Sequence, residues 1–107
     1  MDLLAIIRSM RKSALRVRTM RRMLERKRAY PALLAEDLDI SLRDLRRVLY
    51  GELPKYSPAL SPIRLGLLRQ HKVGRRVELR ITPLGEQVAR ELPRMLGRRV
   101  GGSGGGS

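Results

Sequence analysis

KVGRRVELRITPLG, residues 72–85, is the stretch whose reading decides the fold. Val77, Leu79 and Ile81 fall on one side of an extended chain and Glu78 and Arg80 on the other, the period of two of a half-buried strand. Gly74 stands where a turn would fold residues 77–82 back onto Leu67–Gln70 as an antiparallel hairpin. Thr82 and Pro83 then suit the N-cap and first position of a last helix, with Leu84, Val88, Leu92 and Leu96 on its inner face and Pro93 set to kink or end it.

Everything upstream carries helical spacing. Asp2 can cap a helix with Leu3, Leu4, Ile6, Ile7 and Met10 on one broad face, and Ser13 can restart the pattern through Leu15, Met20, Met23 and Leu24. One long helix or two fit this run equally. Pro31 opens a third helix, with Leu33, Leu34 and Leu38 as its apolar side and an end near Asp39. Ser41 then begins SLRDLRRVLYG: its hydroxyl can accept from the backbone N–H of Asp44, Asp44 can return the bond as in a capping box, and Gly51 ends the helix. Pro54, Pro58 and Pro62 impose a rigid connection, in which Ser61 can cap one short helix through Leu65, ended by Gly66. The expected fold is mainly α with a small β-hairpin, a winged helix-turn-helix over residues 13–97. It is preceded by an amphipathic helix over residues 1–12 and followed at 101–107 by GGSGGGS, which has the composition of a disordered engineered linker.

The chain has 107 residues, enough for one domain with one core. Twenty-four Lys and Arg stand against ten Asp and Glu, a formal net charge of +14, and such an excess points to an anionic partner. Cysteine is absent, which excludes disulfides and thiolate chemistry and favours an intracellular location. No run approaches the roughly 18 apolar residues that span a bilayer, so a cytoplasmic, nucleoid-associated protein without a membrane partner is expected. The absence of Asn together with the heavy charge suits a thermophile, although a GC-rich genome would enrich Arg equally well.

The charge is unevenly spread. Residues 1–28 carry ten cations and two acids, +8; residues 29–62 carry four and five, −1; residues 63–100 carry ten and three, +7. In a helix-turn-helix the first helix braces the second, whose outward residues enter the major groove of DNA. Here those residues are Arg43, Arg46, Arg47 and Tyr50, with Asp44 among them. Arg can bind guanine O6 and N7 or a phosphate, although Asp44 three residues before Arg47 equally permits a solvated face with internal ion pairs. Attraction to phosphate should therefore come from Arg16, Arg18, Arg21 and Arg22 in the N-terminal helices and from the wing, through Lys72, Arg75, Arg76 and Arg80. The wing tip could straddle the backbone or reach into a narrow minor groove.

Three phrases in this order, SALRVRTMRRMLERKRAYPALLAEDLDIS, YSPALSPIRLGLL and VELRITPLGEQVAREL, resemble the winged helix-turn-helix transcription regulators of archaea, in the broad ArsR and MarR-like group. There GLL leads into the wing, and Thr-x-x-Gly, here Thr82 to Gly85, closes it. The resemblance covers residues 13–96. It implies a regulator that binds double-stranded DNA, often as a homodimer on a pseudo-palindromic site, with Leu42–Tyr50 as recognition helix and His71–Arg76 as wing tip; the N-terminal and/or C-terminal helices are the expected dimer contact. Metal-sensing members use cysteine or histidine clusters that this chain lacks, and the connection over residues 52–62 is longer than in the plainest members.

Other classes are less well served. A sequence-neutral architectural protein would use the same fold and the same charge. RNA modules stack bases on aromatics, and only Tyr30, Tyr50 and Tyr56 are present, dispersed. The first helix would suit a membrane surface as well as a protein partner. No Ser-His-acid set, paired carboxylates or phosphate loop points to an enzyme; no cofactor or metal is implied, with His71 the only histidine.

Overall fold

Local side-chain chemistry sets most of the helix starts in the computed structural model, which describes residues 2–93. Asp2 accepts from the Ala5 N–H at 2.8 Å and opens α1, Leu3–Arg11; Ser13 accepts from Arg16 at 3.3 Å and opens α2, Ala14–Arg26. The N-terminal run is thus two helices, broken at Lys12 and Ser13, and each such cap contributes about 1 kcal/mol. Lys27, at φ 71, turns the chain into β1, Arg28–Ala29. Pro31 occupies the first position of α3, Pro31–Leu38, and Asp39 closes it in the left-handed region. Ser41 accepts from Asp44 at 3.0 Å to open α4, Leu42–Tyr50, so residues 39–41 form the tight turn of a helix-turn-helix. The reciprocal half of the expected capping box is not made; the Asp44 carboxylate sits 4.0 Å from Arg47 instead. Asp is one methylene shorter than the Glu or Gln that usually reaches back.

The connection after α4 holds a single 3-10 turn, Pro58–Leu60, followed by turns rather than the expected short helix at 61–65. Ser61 does cap the turns over residues 62–66, accepting from Arg64 N at 3.3 Å, while its hydroxyl donates to the Leu49 carbonyl and fastens the loop to α4. The hairpin comprises β2, Leu68–Val73, and β3, Arg76–Ile81, longer and slightly shifted from the expected limits. Its two-residue loop, Gly74–Arg75, has positive φ only at Gly74, the pattern of a type II′ turn that matches the strand twist. Thr82 caps α5, Pro83–Arg90, by accepting from Gly85 N at 2.9 Å.

The sheet has three antiparallel strands in the order β1-β3-β2, with β1 pairing Arg28 to Arg80 and Ala29 to Leu79. Arg28–Ala29 was not expected as a strand, since two residues carry no readable period. α2 is the hub, packing on α1, α3, α5, β1 and β3, and Val17, Met20 and Met23 are buried there with Leu34, Leu45, Leu79 and Val88. α1 joins the same core through Ile6, Ile7 and Met10.

Four apolar positions face otherwise than expected. Leu4, Leu33 and Leu84 are exposed, because at 100° per residue each lies about a quarter-turn or more from the centre of its helix's buried face. Val77 is 39% exposed although it shares a face with Leu79 and Ile81, since the outer hairpin projects past the helices that would cover it. Leu96 and residues 101–107 lie outside the described residues.

Candidate nucleic-acid interface

The outward side of α4 follows from its inward side. Leu45, Val48 and Leu49 are buried, which leaves Arg43, Asp44, Arg46 and Tyr50 exposed and Arg47 half-buried at the margin. Arg43, Arg46, Arg47 and Tyr50 border one shallow cleft together with Glu52. Arg47 is the least free of the set: its Nε stands 3.1 Å from Glu52 Oε1, and Nη1 is 4.0 Å from Asp44. The Nε–Glu52 contact is an ion pair without hydrogen-bond alignment, and this buried nitrogen has no other partner.

Tyr50 connects α4 to the wing, because the Gln70 side-chain amide donates to its hydroxyl. Gln70 shares a strand face with buried Leu68, and Lys72 is two residues further along that face, on the side of the sheet from which Gln70 reaches Tyr50. Lys72 and Arg75 are exposed at the tip. Arg76 has a second commitment: its guanidinium lies 3.9 Å from the centre of the Tyr30 ring, a cation–π contact across the start of α3. Arg80 lies apart from the tip, in mid-strand, where it donates to Glu78 at 2.7 Å on the face turned away from Gln70. Of the eight residues expected at the α4 and wing surfaces, Arg43, Arg46, Lys72 and Arg75 are exposed without a side-chain partner among the described residues, Tyr50 is exposed and bonded to Gln70, and Arg47, Arg76 and Arg80 are engaged by Glu52, Tyr30 and Glu78.

The N-terminal arginines meet a different end. Arg16, expected at phosphate, is 4% exposed; it donates to the Ser57 carbonyl at 3.2 Å and lies over the Tyr56 ring at 5.3 Å. Burial also lowers its pKa, partly offset by the neighbouring Tyr56. Arg18 donates to Leu38 O at 2.7 Å, the last residue of α3, and Arg21 to Ala89 O at 3.2 Å near the end of α5. The last carbonyls of a helix have no partner within it and carry the negative end of the helix dipole, so a guanidinium satisfies both needs. These three arginines tie neighbouring elements to α2, while Arg22 pairs with Glu25 at 3.1 Å on the surface. Extended side chains of this length reach partners far away in sequence, so a count of charges by segment does not separate a staple from a solvated cation.

Glu52 and Gln70, which hold Arg47 and Tyr50, were not singled out in the sequence, and Tyr30, which holds Arg76, was weighed there only as a dispersed aromatic; their contacts across elements mark them. No helix of the described residues is long and apolar enough to cross a membrane. No curated protein and no solved structure matches the chain. A family model does match it over residues 6–92, from the middle of α1 to just beyond α5, and on that extent the chain belongs to the EarA-like family.

Proposed function

We propose that the chain is a double-stranded DNA-binding protein, a transcription regulator of the broad ArsR and MarR-like group, that lays α4 in the major groove and sets its basic wing tip on the backbone or in the minor groove. The observation that carries this reading is the exposed group on α4, Arg43, Arg46 and Tyr50, joined through Tyr50 and Gln70 to the strand that bears Lys72. A helix about 10–12 Å across fits a groove about 12 Å wide, and each exposed arginine there has the fork geometry for guanine. Lys72 and Arg75 supply charge that residues 29–62, at −1 as a whole, lack.

Selection from random duplexes tests the reading. A regulator returns an enriched motif preferred over random duplex by at least ~1,000-fold, and a homodimer returns it as a palindrome with half-sites about one helical turn apart. Arg46→Ala then changes the preferred bases at a cost of about 1–3 kcal/mol per lost bidentate contact, whereas Arg75→Ala weakens every duplex alike and lowers the salt slope. High affinity for bulk duplex with no enriched motif would leave the second reading, a sequence-neutral architectural protein. That reading is favoured by one observation: exposed Asp44 and the Arg47–Glu52 pair reduce the positive charge of α4 itself.

A further inference from the structure

The face of the sheet turned away from α4 carries a row of arginines that the reading above does not use. β1 pairs Arg28 with Arg80, and β2 pairs Arg69 with the same Arg80, so the three stand side by side across three strands. Neighbouring strands are about 4.8 Å apart, which gives the row a span of about 10 Å. Their side chains share one face: Ala29, Leu79 and Leu68, the next residues along each strand, are buried toward the helices. Like charges directly opposite one another weaken strand pairing, so this register is a cost that an anion across the row would relieve.

Counter-charge on that face is scarce. Glu78 is bonded to Arg80, and Glu86 is taken by Lys27, with Arg90 at 3.8 Å. Among the described residues neither Arg28 nor Arg69 has a carboxylate within ion-pair distance, and both are exposed. The surface is also shaped: one shallow cleft runs between Arg28 and Pro83, a second between Arg69, His71 and Pro83, and Arg80 forms the ridge that both share. A single small anion would engage one cleft; a row of three cations flanked by two clefts fits a run of phosphates. Three successive phosphates of one strand cover about 7 Å of duplex axis, within reach of arginines spread over this span.

We propose that the Arg28–Arg80–Arg69 row binds the phosphate backbone of a second DNA duplex, so that one chain bridges two duplexes held on opposite faces of its sheet. The inference rests on the DNA-binding reading, since the first duplex is the one seated on α4 and Lys72. Arg80 thereby belongs to the second surface and not to the wing tip.

The test uses the full chain in two assays: anisotropy of one labelled duplex, and capture of a labelled duplex by a second duplex fixed to beads, across a range of protein-to-DNA ratios. Arg28→Gln/Arg69→Gln removes two exposed charges and leaves the Arg80–Glu78 pair; circular dichroism melting checks that the fold is retained. The expected result is capture reduced by about 10-fold or more, with single-duplex affinity changed by about twofold at most, because two phosphate contacts are lost from one surface only. Arg43→Gln/Arg46→Gln reverses the pattern, weakening single-duplex binding first. Capture by Arg28→Gln/Arg69→Gln equal to that of the unaltered chain overturns the proposal, since bridging would then come from association of chains. Single-duplex binding with no capture at any ratio also overturns it and leaves the α4 reading standing. Absence of binding to any duplex removes both.

Discussion

Thr82 and Gly85 show how much one hydroxyl and one missing side chain decide. The Thr82 hydroxyl accepts from Gly85 N and donates toward the Gly66 and Leu67 carbonyls, at 2.6 and 3.1 Å, so the cap of α5 and the start of β2 share one atom. Leu67 passes so close that a Cβ at Gly85 would stand 2.0 Å from its carbonyl oxygen, with Ile81 Cγ1 at 2.9 Å. Backbone cannot yield there without parting the hairpin from α5. Gly85→Ala is therefore expected to destabilise the protein by about 3 kcal/mol or more, the upper range of overpacking, as measured by urea denaturation. A melting midpoint unchanged by the substitution would mean that β2 and α5 are not packed as described. The spacing of this Thr and Gly was readable in the sequence, and the close approach supplies its physical reason.

Among elements, the seam between α2 and α5 is closed by two contacts of different kinds, the Arg21–Ala89 hydrogen bond and the Lys27–Glu86 ion pair. The hydrogen bond from Lys27 holds the Glu86 carboxyl below its ordinary pKa, outweighing partial desolvation, with the charges of Lys27 and Arg90 adding to the effect. A depressed folded-state pKa gives stability that is present above the unfolded pKa and lost as pH falls through the folded one. Glu86→Gln should accordingly lower the melting temperature at pH 7 and converge with the unaltered chain as pH falls below the carboxylate range. A difference that persists at pH 2 would assign the effect to packing. Helix caps at Asp2, Ser13, Ser41 and Thr82 were legible because each is settled within three residues. β1 was not, because its two residues become a strand only by pairing with Arg80 and Leu79, fifty residues on. Leu4, Leu33 and Leu84 were misassigned for a related reason: apolar character is local, but the direction of a helix's buried face is set by its neighbours.

At the scale of the molecule, the net charge of +14 is not a uniform coat. Three of the ten cations of residues 1–28 bond to backbone carbonyls of other elements: buried Arg16 to the connection, and half-buried Arg18 and Arg21 to α3 and α5. Arg18→Ala and Arg21→Ala should each cost about 1.5–3 kcal/mol of stability, the range for hydrogen bonds with a charged partner, while on the DNA-binding reading proposed above the salt slope stays unchanged. A reduced slope with unaltered stability would return these residues to the phosphate surface. Charge counted by segment located the excess correctly but could not tell which cations face outward, since that depends on which helix ends come within reach of α2.

The Gln70–Tyr50 contact has a consequence for the economy of binding. Tyr50 closes α4 and Gln70 lies in mid-strand, so their hydrogen bond links the helix to the wing before any ligand arrives. Much of the conformational entropy that separate, wandering elements would surrender on contact has already been surrendered in folding, and less is left to oppose association. On the DNA-binding reading proposed above, a duplex whose grooves are spaced otherwise would have to deform to touch both parts, and its stiffness would become part of what is read.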